Sequence, residues 1–268
     1  MGIADLHLHS TVSDGLLTPA EIVAKAKKLN LEVIALTDHD STDGLTEALA
    51  AGARHSIRVL AGVEISAELA DEEIHILGFL LDYHNQDLQQ LLGKIQESRM
   101  IRVQEMVRRL QALGFDLNVQ EVVAAAGKTS SLGRPHVARA MIERGYASSL
   151  TEVFSRWLGF GQPAYVSRYK LNPAQAIEII QRAGGLAFLA HPGLLKNEDC
   201  ISQLAKDGLD GIEVYHPEHS SGQARSFRNT AAALGLYVSG GSDSHGSPYH
   251  NRIGQTTINI QDLPWIKD

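Results

Sequence analysis

Cysteine is almost missing from this chain. Cys200 is the only one in 268 residues, which excludes an intramolecular disulfide framework and fits a reducing compartment. No apolar run is long enough to span a bilayer, and residues 1–10 lack a basic stretch followed by an apolar core. Neither a membrane span nor a secretory signal is therefore expected, and the cytoplasm is the expected location. Low-complexity and proline-rich tracts are also absent, and with 44% hydrophobic and 21% charged residues a disordered chain is excluded. A glycine-rich dinucleotide fingerprint is missing after the first strand-like run, which speaks against an open Rossmann sheet. Positive charge is in the minority, with a formal net charge of -7. Taken alone that balance argues against nucleic acid, but several of the carboxylates are candidate metal ligands, and bound divalent ions would reverse the local sign.

What the chain does contain is seven short apolar runs, six of which end in a residue that binds divalent metals. The opening Asp5-Leu6-His7-Leu8-His9-Ser10 and the late Gly241-Ser242-Asp243-Ser244-His245-Gly246 bracket Thr37-Asp38-His39, Glu64, His75 and His191. Strand-like runs are read at 3–8, 33–36, 59–65 and 74–80, with helices at 18–29 and 43–55 between them. Thr18 and Pro19 supply a cap and a first-turn proline for the first helix. This is βα repetition with few hairpin signals. Apolar residues then recur at helical spacing from Leu88 to Leu113, and two further helices are expected at 119–126 and 135–144. The βα rhythm resumes with helices at 173–183 and 222–235 and strands at 186–190, 211–215 and 236–239. The expected organisation is a first barrel part at 1–84, a helical insertion or cap at 85–162, and a second barrel part at 163–268. Ligands in parallel barrels collect at the carboxyl ends of strands, where these His, Asp and Glu residues fall.

His7 and His9 alternate along one extended segment and so face the same side, where one ion can take both. Asp38 and Asp40 flank His39 as orienting or helix-capping groups, and Asp5 is read as a partner for an imidazole or for the turn. His55, His84 and His250 match no motif and are read as surface residues. In the insertion, Gly133-Arg134-Pro135-His136 puts an arginine at a helix amino terminus, a natural place for an anion, against the plainer reading of a simple ion pair. Tyr215-His216-Pro217-Glu218-His219-Ser220 follows the one strand without an assigned ligand. His219 is read as a phosphate contact or as the acid for the leaving group, and His216 as a wall residue. Lys170 and Arg168 rank below Arg134 as phosphate contacts.

These motifs, in this order and from end to end of the chain, resemble the PHP family, named for polymerase and histidinol phosphatase domains. The resemblance rests on Asp5 to Ser10 with Asp14-Gly15, Thr37-Asp38-His39, Gly62-Val63-Glu64, His75-Ile76-Leu77-Gly78, His191-Pro192 and Ser242-Asp243-Ser244-His245. It implies a distorted seven-stranded β/α barrel holding two or three divalent ions, Mn, Zn or Fe. In that scheme His7, His9, Glu64 and Asp243 hold the first ion, and Glu64 bridges to a second held by His75 and His191. Asp14, His39 and His245 hold the third. Within the family, the Arg-Pro-His stretch and the insertion are closest to the stand-alone nucleotide phosphoesterases, of the nucleoside 3′,5′-bisphosphate phosphatase or 5′-3′ exoribonuclease type. The implied activity is hydrolysis of a phosphorylated small molecule, a nucleotide or short RNA or DNA oligonucleotide, by metal-activated hydroxide, with no obligate protein partner and no membrane. Histidinol phosphatase is the nearest alternative. An amidohydrolase and a non-catalytic metal-binding module are alternatives of other kinds.

Overall fold

A computed structural model of the protein describes residues 2–70, 72–127, 129–167, 169–196, 199–248 and 250–266, so Arg168 lies outside the described residues. The chain divides into two compact units, residues 1–90 with 170–268, and residues 91–169. The first unit carries the sheet, with strands β1 (Ile3–Asp5), β2 (Val33–Leu36), β3 (Arg58–Leu69), β4 (Glu72–Phe79), β5 (Leu186–Leu189), β6 (Gly211–Tyr215), β7 (Tyr237–Gly240) and β8 (Ile258–Asn259). Helices among the described residues are α1 (Pro19–Lys28), α2 (Leu45–His55), α3 (Gln86–Ala112), α4 (Val119–Ala126), α5 (Arg134–Glu143), α6 (Leu150–Val153), α7 (Pro173–Arg182), α8 (Cys200–Lys206) and α9 (Ser221–Leu234). No helix among them is long and apolar enough to cross a membrane.

Sheet order is β7-β6-β5-β4-β3-β2-β1-β8. β8 adds a short antiparallel strand on β1. Beyond that pairing, the chain past β1 turns to the chain past β7. Leu6 N–H donates to the Gly240 carbonyl at 3.1 Å and His9 N–H to that of Ser244 at 3.0 Å, and Leu8 and Ser244 form a parallel bridge. The sheet thereby closes on itself as a distorted barrel. Asp5 reinforces the seam. Its carboxylate accepts from Ser242 N–H and Oγ–H and from Gly254 N–H, so it serves the chain closure and not an imidazole.

β4 departs from the expected βα repetition, because it pairs antiparallel with both β3 and β5. β3 and β4 form a hairpin whose connection holds Ala70 at φ +50. The stretch carries no Asn-Gly or Gly pair that would announce such a turn, and alanine rarely adopts that backbone. Reversal has a consequence for function. A strand running the opposite way starts where its neighbours end, so His75 reaches the same mouth from within β4 and not from its carboxyl end.

Thr18 caps α1 as expected, since Thr18 Oγ1 accepts from Glu21 N–H and the Glu21 carboxylate accepts from Thr18 N–H. α2 is capped by Gly44 without a side-chain bond, so neither Asp38 nor Asp40 serves as its cap. Side chains of β2 alternate between two cores. Val33 and Ala35 join Leu6, Leu77, Phe79, Phe188 and Trp265 in a cluster built from strand and carboxyl-terminal residues. Ile34 and Leu36 meet Ile22, Val23 and Ala26 of α1 and Leu45 and Ala48 of α2. In the second unit, Val103, Met106, Val107 and Leu110 of α3 pack with Val122 of α4 and Val137 and Met141 of α5, so that helical stripe is core. Leu113 at the end of the stripe is exposed.

The seam leaves no room at Gly241, where an added Cβ would lie 2.4 Å from both the Cβ and the backbone nitrogen of His7. Gly241→Ala is expected to lower stability by about 1–3 kcal/mol through this overpacking. Denaturant unfolding of the metal-free protein measures it, and an unchanged midpoint would mean the seam is looser than described.

Candidate metal centre

Five imidazoles converge on one buried carboxylate. Glu64 Oε2 lies 2.9 Å from His39 Nδ1, 3.3 Å from His9 Nε2 and 3.4 Å from His7 Nε2, while Oε1 lies 2.8 Å from His75 Nδ1 and 3.0 Å from His191 Nε2. Asp243 adds Oδ1 at 3.0 Å from His9 Nε2 and 3.5 Å from His7 Nε2. Asp14 Oδ1 is 3.2 Å from His245 Nε2. All nine expected ligands thus lie in one region of the barrel unit. Among the described residues, three sets have ligand atoms within 4.8 Å of one another: His7, His9 and Asp243; His39, Glu64 and His75; and His9, Asp14, His39 and His245. His39 therefore stands between two sets, and so does His9, whereas the division implied by the family resemblance gives each to one ion. His191 approaches through the Oε1 side of Glu64.

The donor set suits divalent ions on a structural observation as well as on ligand type. His7 Nε2, both ring nitrogens of His9, His39 Nδ1, Glu64 Oε2 and His191 Nδ1 are buried without a hydrogen-bond partner. Buried polar atoms are normally satisfied, and a cluster of exceptions around one carboxylate is what coordination would satisfy. Electrostatics agree. Burial opposes charge on Glu64, Asp14 and Asp243, but the surrounding imidazoles outweigh it and hold all three well below the usual carboxylate range. Burial likewise opposes charge on His75 and His245, yet Glu64 raises His75 to about 9 and Asp14 raises His245 to about 10. His9 goes the other way, to about 3, because burial is reinforced by His245 and His39.

Backbone strain marks the same place. His191 at φ +29 and Asp243 at φ +48 adopt left-handed backbone that side-chain-bearing residues rarely take. Asp38, buried, accepts from Ser10 N–H at 2.7 Å, Ser10 Oγ–H at 2.7 Å and Ser13 Oγ–H at 2.6 Å, and so fixes the loop between His9 and Asp14. Asp40 accepts from Ser66 N–H at 2.7 Å. His55, His84 and His250 are exposed, as expected.

Two residues of the site were not legible in advance. Glu213, in the middle of β6, is buried and accepts from His7 Nδ1–H at 2.9 Å and from His191 N–H at 2.7 Å. Glu73 lies 2.8 Å from His75 Nε2 and leaves Nδ1 toward Glu64. A single glutamate inside Gly211-Ile212-Glu213-Val214-Tyr215 was the available signal, since an unpaired carboxylate in so apolar a strand is costly.

The expected acid role of His219 is corrected by its hydrogen bonds. Gly193 N–H donates to His219 Nε2 at 3.0 Å, so the proton sits on Nδ1, which donates to the Val214 carbonyl at 2.9 Å. Neither nitrogen has a proton to offer a substrate. His219 instead ties down the turn after His191, where a Cβ on Gly193 would fall 2.5 Å from the ring. His216 is the opposite case. Glu218 N–H donates to its Nδ1 at 3.1 Å, which leaves the proton on Nε2, 3.4 Å from Asp243 Oδ2. Lys170 pairs with Glu68 at 2.7 Å on the surface. In the helical unit, Arg134 opens α5 with its guanidinium 5.7 Å from the Phe154 ring and 5.9 Å from that of Tyr165. A cavity of about 290 Å³ opens onto His39, Glu64, His75, His191 and Asp243, and Leu194 and Leu195 form its apolar wall.

A β/α barrel that gathers imidazoles and carboxylates around one buried glutamate has the donor set of a metal-dependent hydrolase. The chain belongs to the PHP family: the PHP domain model matches residues 5–158. A 3′,5′-nucleoside bisphosphate phosphatase of Chromobacterium violaceum is 36% identical over 272 residues, covering 99% of this chain and 94% of its own length. The 5′-3′ exoribonuclease Rnm of Escherichia coli is 32% identical over 272 residues, covering 99% and 87%. A solved structure from Bifidobacterium adolescentis, provisionally assigned as a metal-dependent phosphoesterase, superposes with a TM-score of 0.90 at 30% identity, covering 98% of this chain and 94% of its own.

Proposed function

We propose that the protein hydrolyses phosphate monoesters of nucleotides, with a nucleoside 3′,5′-bisphosphate or a mononucleotide as substrate and short RNA or DNA oligonucleotides attacked from the 5′ end as a further one. The observation that carries this reading is the approach of five imidazoles to Glu64, a donor set for clustered cations, in a chain whose full-length relatives bear nucleotide and RNA names. Two or three ions, of Mn, Zn or Fe, would be held by His7, His9, Asp14, His39, Glu64, His75, His191, Asp243 and His245. Bound there, divalent ions supply Lewis acidity, which activates water and neutralises the phosphoryl oxygens. Glu64 and Asp243 keep the imidazoles in register, and Leu194 and Leu195 offer an apolar wall to the part of the substrate beyond the phosphate. Names of the relatives weigh against histidinol phosphate. The single cysteine and the absence of a spanning helix among the described residues are consistent with the cytoplasm, the proposed location.

Arg134 is proposed as a contact to a phosphate that is not being hydrolysed, on the ground of its place at the amino terminus of a helix. Lys170 and Arg168 are proposed as lesser contacts. Metal-reconstituted protein should release phosphate from nucleotides faster than from histidinol phosphate, and a chelator should abolish the release. Arg134→Ala should cut turnover of a nucleoside bisphosphate by roughly tenfold to a hundredfold, the worth of one hydrogen bond to a charged group, while a small artificial phosphate ester is much less affected. Release from histidinol phosphate alone would overturn the nucleotide reading, and equal losses on both esters would remove Arg134 from it.

A further inference from the structure

We propose that Glu213 is a positioning residue that sets two candidate ligand imidazoles at once, His7 through its ring and His191 through its main chain. The two oxygens of one carboxylate are divided between them, Oε1 accepting from His7 Nδ1–H at 2.9 Å and Oε2 from His191 N–H at 2.7 Å. Glu213 is 1% exposed, and it projects from β6, which like the two-residue β8 carries no assigned ligand.

Each half of the contact does separate work. At His7, an acceptor on Nδ1 fixes the tautomer of the neutral ring, whose lone pair is then on Nε2, the nitrogen facing Glu64 and Asp243 at 3.4 and 3.5 Å. At His191, the backbone is in the left-handed region at φ +29, a conformation that persists only when its surroundings hold it. The Glu213 bond grips the amide of that residue, and the His219 bond to Gly193 grips the turn two residues later. β6 and the loop after it therefore hold the His191 turn at two points. Because His7 stands in the set with His9 and Asp243 while His191 meets the other oxygen of Glu64, loss of Glu213 should loosen both sides of the bridge together.

The inference rests on the metal-cluster reading of the site and not on the substrate. The test is a cobalt(II) titration of metal-stripped protein, followed by visible absorption in competition with a chelator, with no phosphate ester present. Glu213→Gln offers one acceptor where two are needed. It should weaken uptake of at least two ions by about 10-fold to 100-fold and alter the cobalt spectrum. Glu213→Asp keeps both oxygens and should recover part of the loss. Thermal unfolding of the metal-free proteins separates positioning from mere packing. A lower unfolding temperature with native cobalt affinity and spectrum would overturn the proposal, as would weakening of one ion only. Failure of both variants to fold would make Glu213 a requirement of the fold and would likewise overturn it. Native protein that takes up no cobalt would instead overturn the metal centre itself.

Discussion

Glu64→Gln should lose more than one metal ion per chain and lower turnover by on the order of a thousandfold, roughly 4 kcal/mol of barrier. The substitution keeps the shape of the side chain and removes the charge. Both oxygens of Glu64 face imidazoles, Oε2 facing His7, His9 and His39 and Oε1 facing His75 and His191, so removing its charge reaches all five at once. His75→Ala makes the informative contrast. It removes one ligand from the Oε1 side and leaves His7, His9 and Asp243 intact, so it should cost the second ion while sparing the first. Elemental analysis of the two variants, alongside phosphate release, decides the matter. Full metal retention in Glu64→Gln with native activity would sink the bridge.

Metal loading at neutral pH should expel protons, and apparent affinity should climb steeply with pH. Without ions, His75 at about 9 and His245 at about 10 are both protonated at pH 7, and His7 is also held well above its ordinary value, because Glu213, Glu64 and Asp243 outweigh its burial. An imidazole must give up a proton before it coordinates. Each displaced proton makes affinity rise about tenfold per pH unit until its own pKa is passed. The sign for folding is opposite. A histidine whose pKa is raised by the fold stabilises the metal-free protein fully below about 6.5, and that stability is lost as pH rises through 9 to 10. The gap in unfolding temperature between loaded and metal-free protein should therefore widen from pH 6.5 to 9. Calorimetric titration in buffers of different ionisation enthalpy counts the protons, and a count of zero at pH 7 would contradict the charge state described for His75 and His245.

The candidate ligands were readable because most of them end or follow a short apolar run, and because His7 and His9 have the period of a strand. The direction of β4 was not. Ala70 makes a hairpin turn without turn chemistry, and an antiparallel strand has the same apolar composition as a parallel one. Glu213 was hidden for a related reason, since its role is set by what lies opposite it, His7 and His191, far away in the chain. His219 shows the limit most clearly. Its position after β6 suggested a group facing substrate, but which ring nitrogen carries a proton depends on Gly193 N–H and the Val214 carbonyl, and no local sequence records that. The two-residue strand β8 carries too few residues for periodicity to register.

Closure of the barrel also fixes when the centre can exist. Asp5 and Ser242 meet across 237 residues, and the same seam brings His7 and His9 to Asp243. During synthesis His7 and His9 are made long before Asp243, so the candidate site waits for the seam to close. A truncated product ending in the helical unit would lack His191, Asp243 and His245 and could hold at most a fragment of the cluster. Any hydrolysis at this site is thereby withheld until the segment carrying Asp243 and His245 has docked on the chain past β1, and timing is enforced by topology alone.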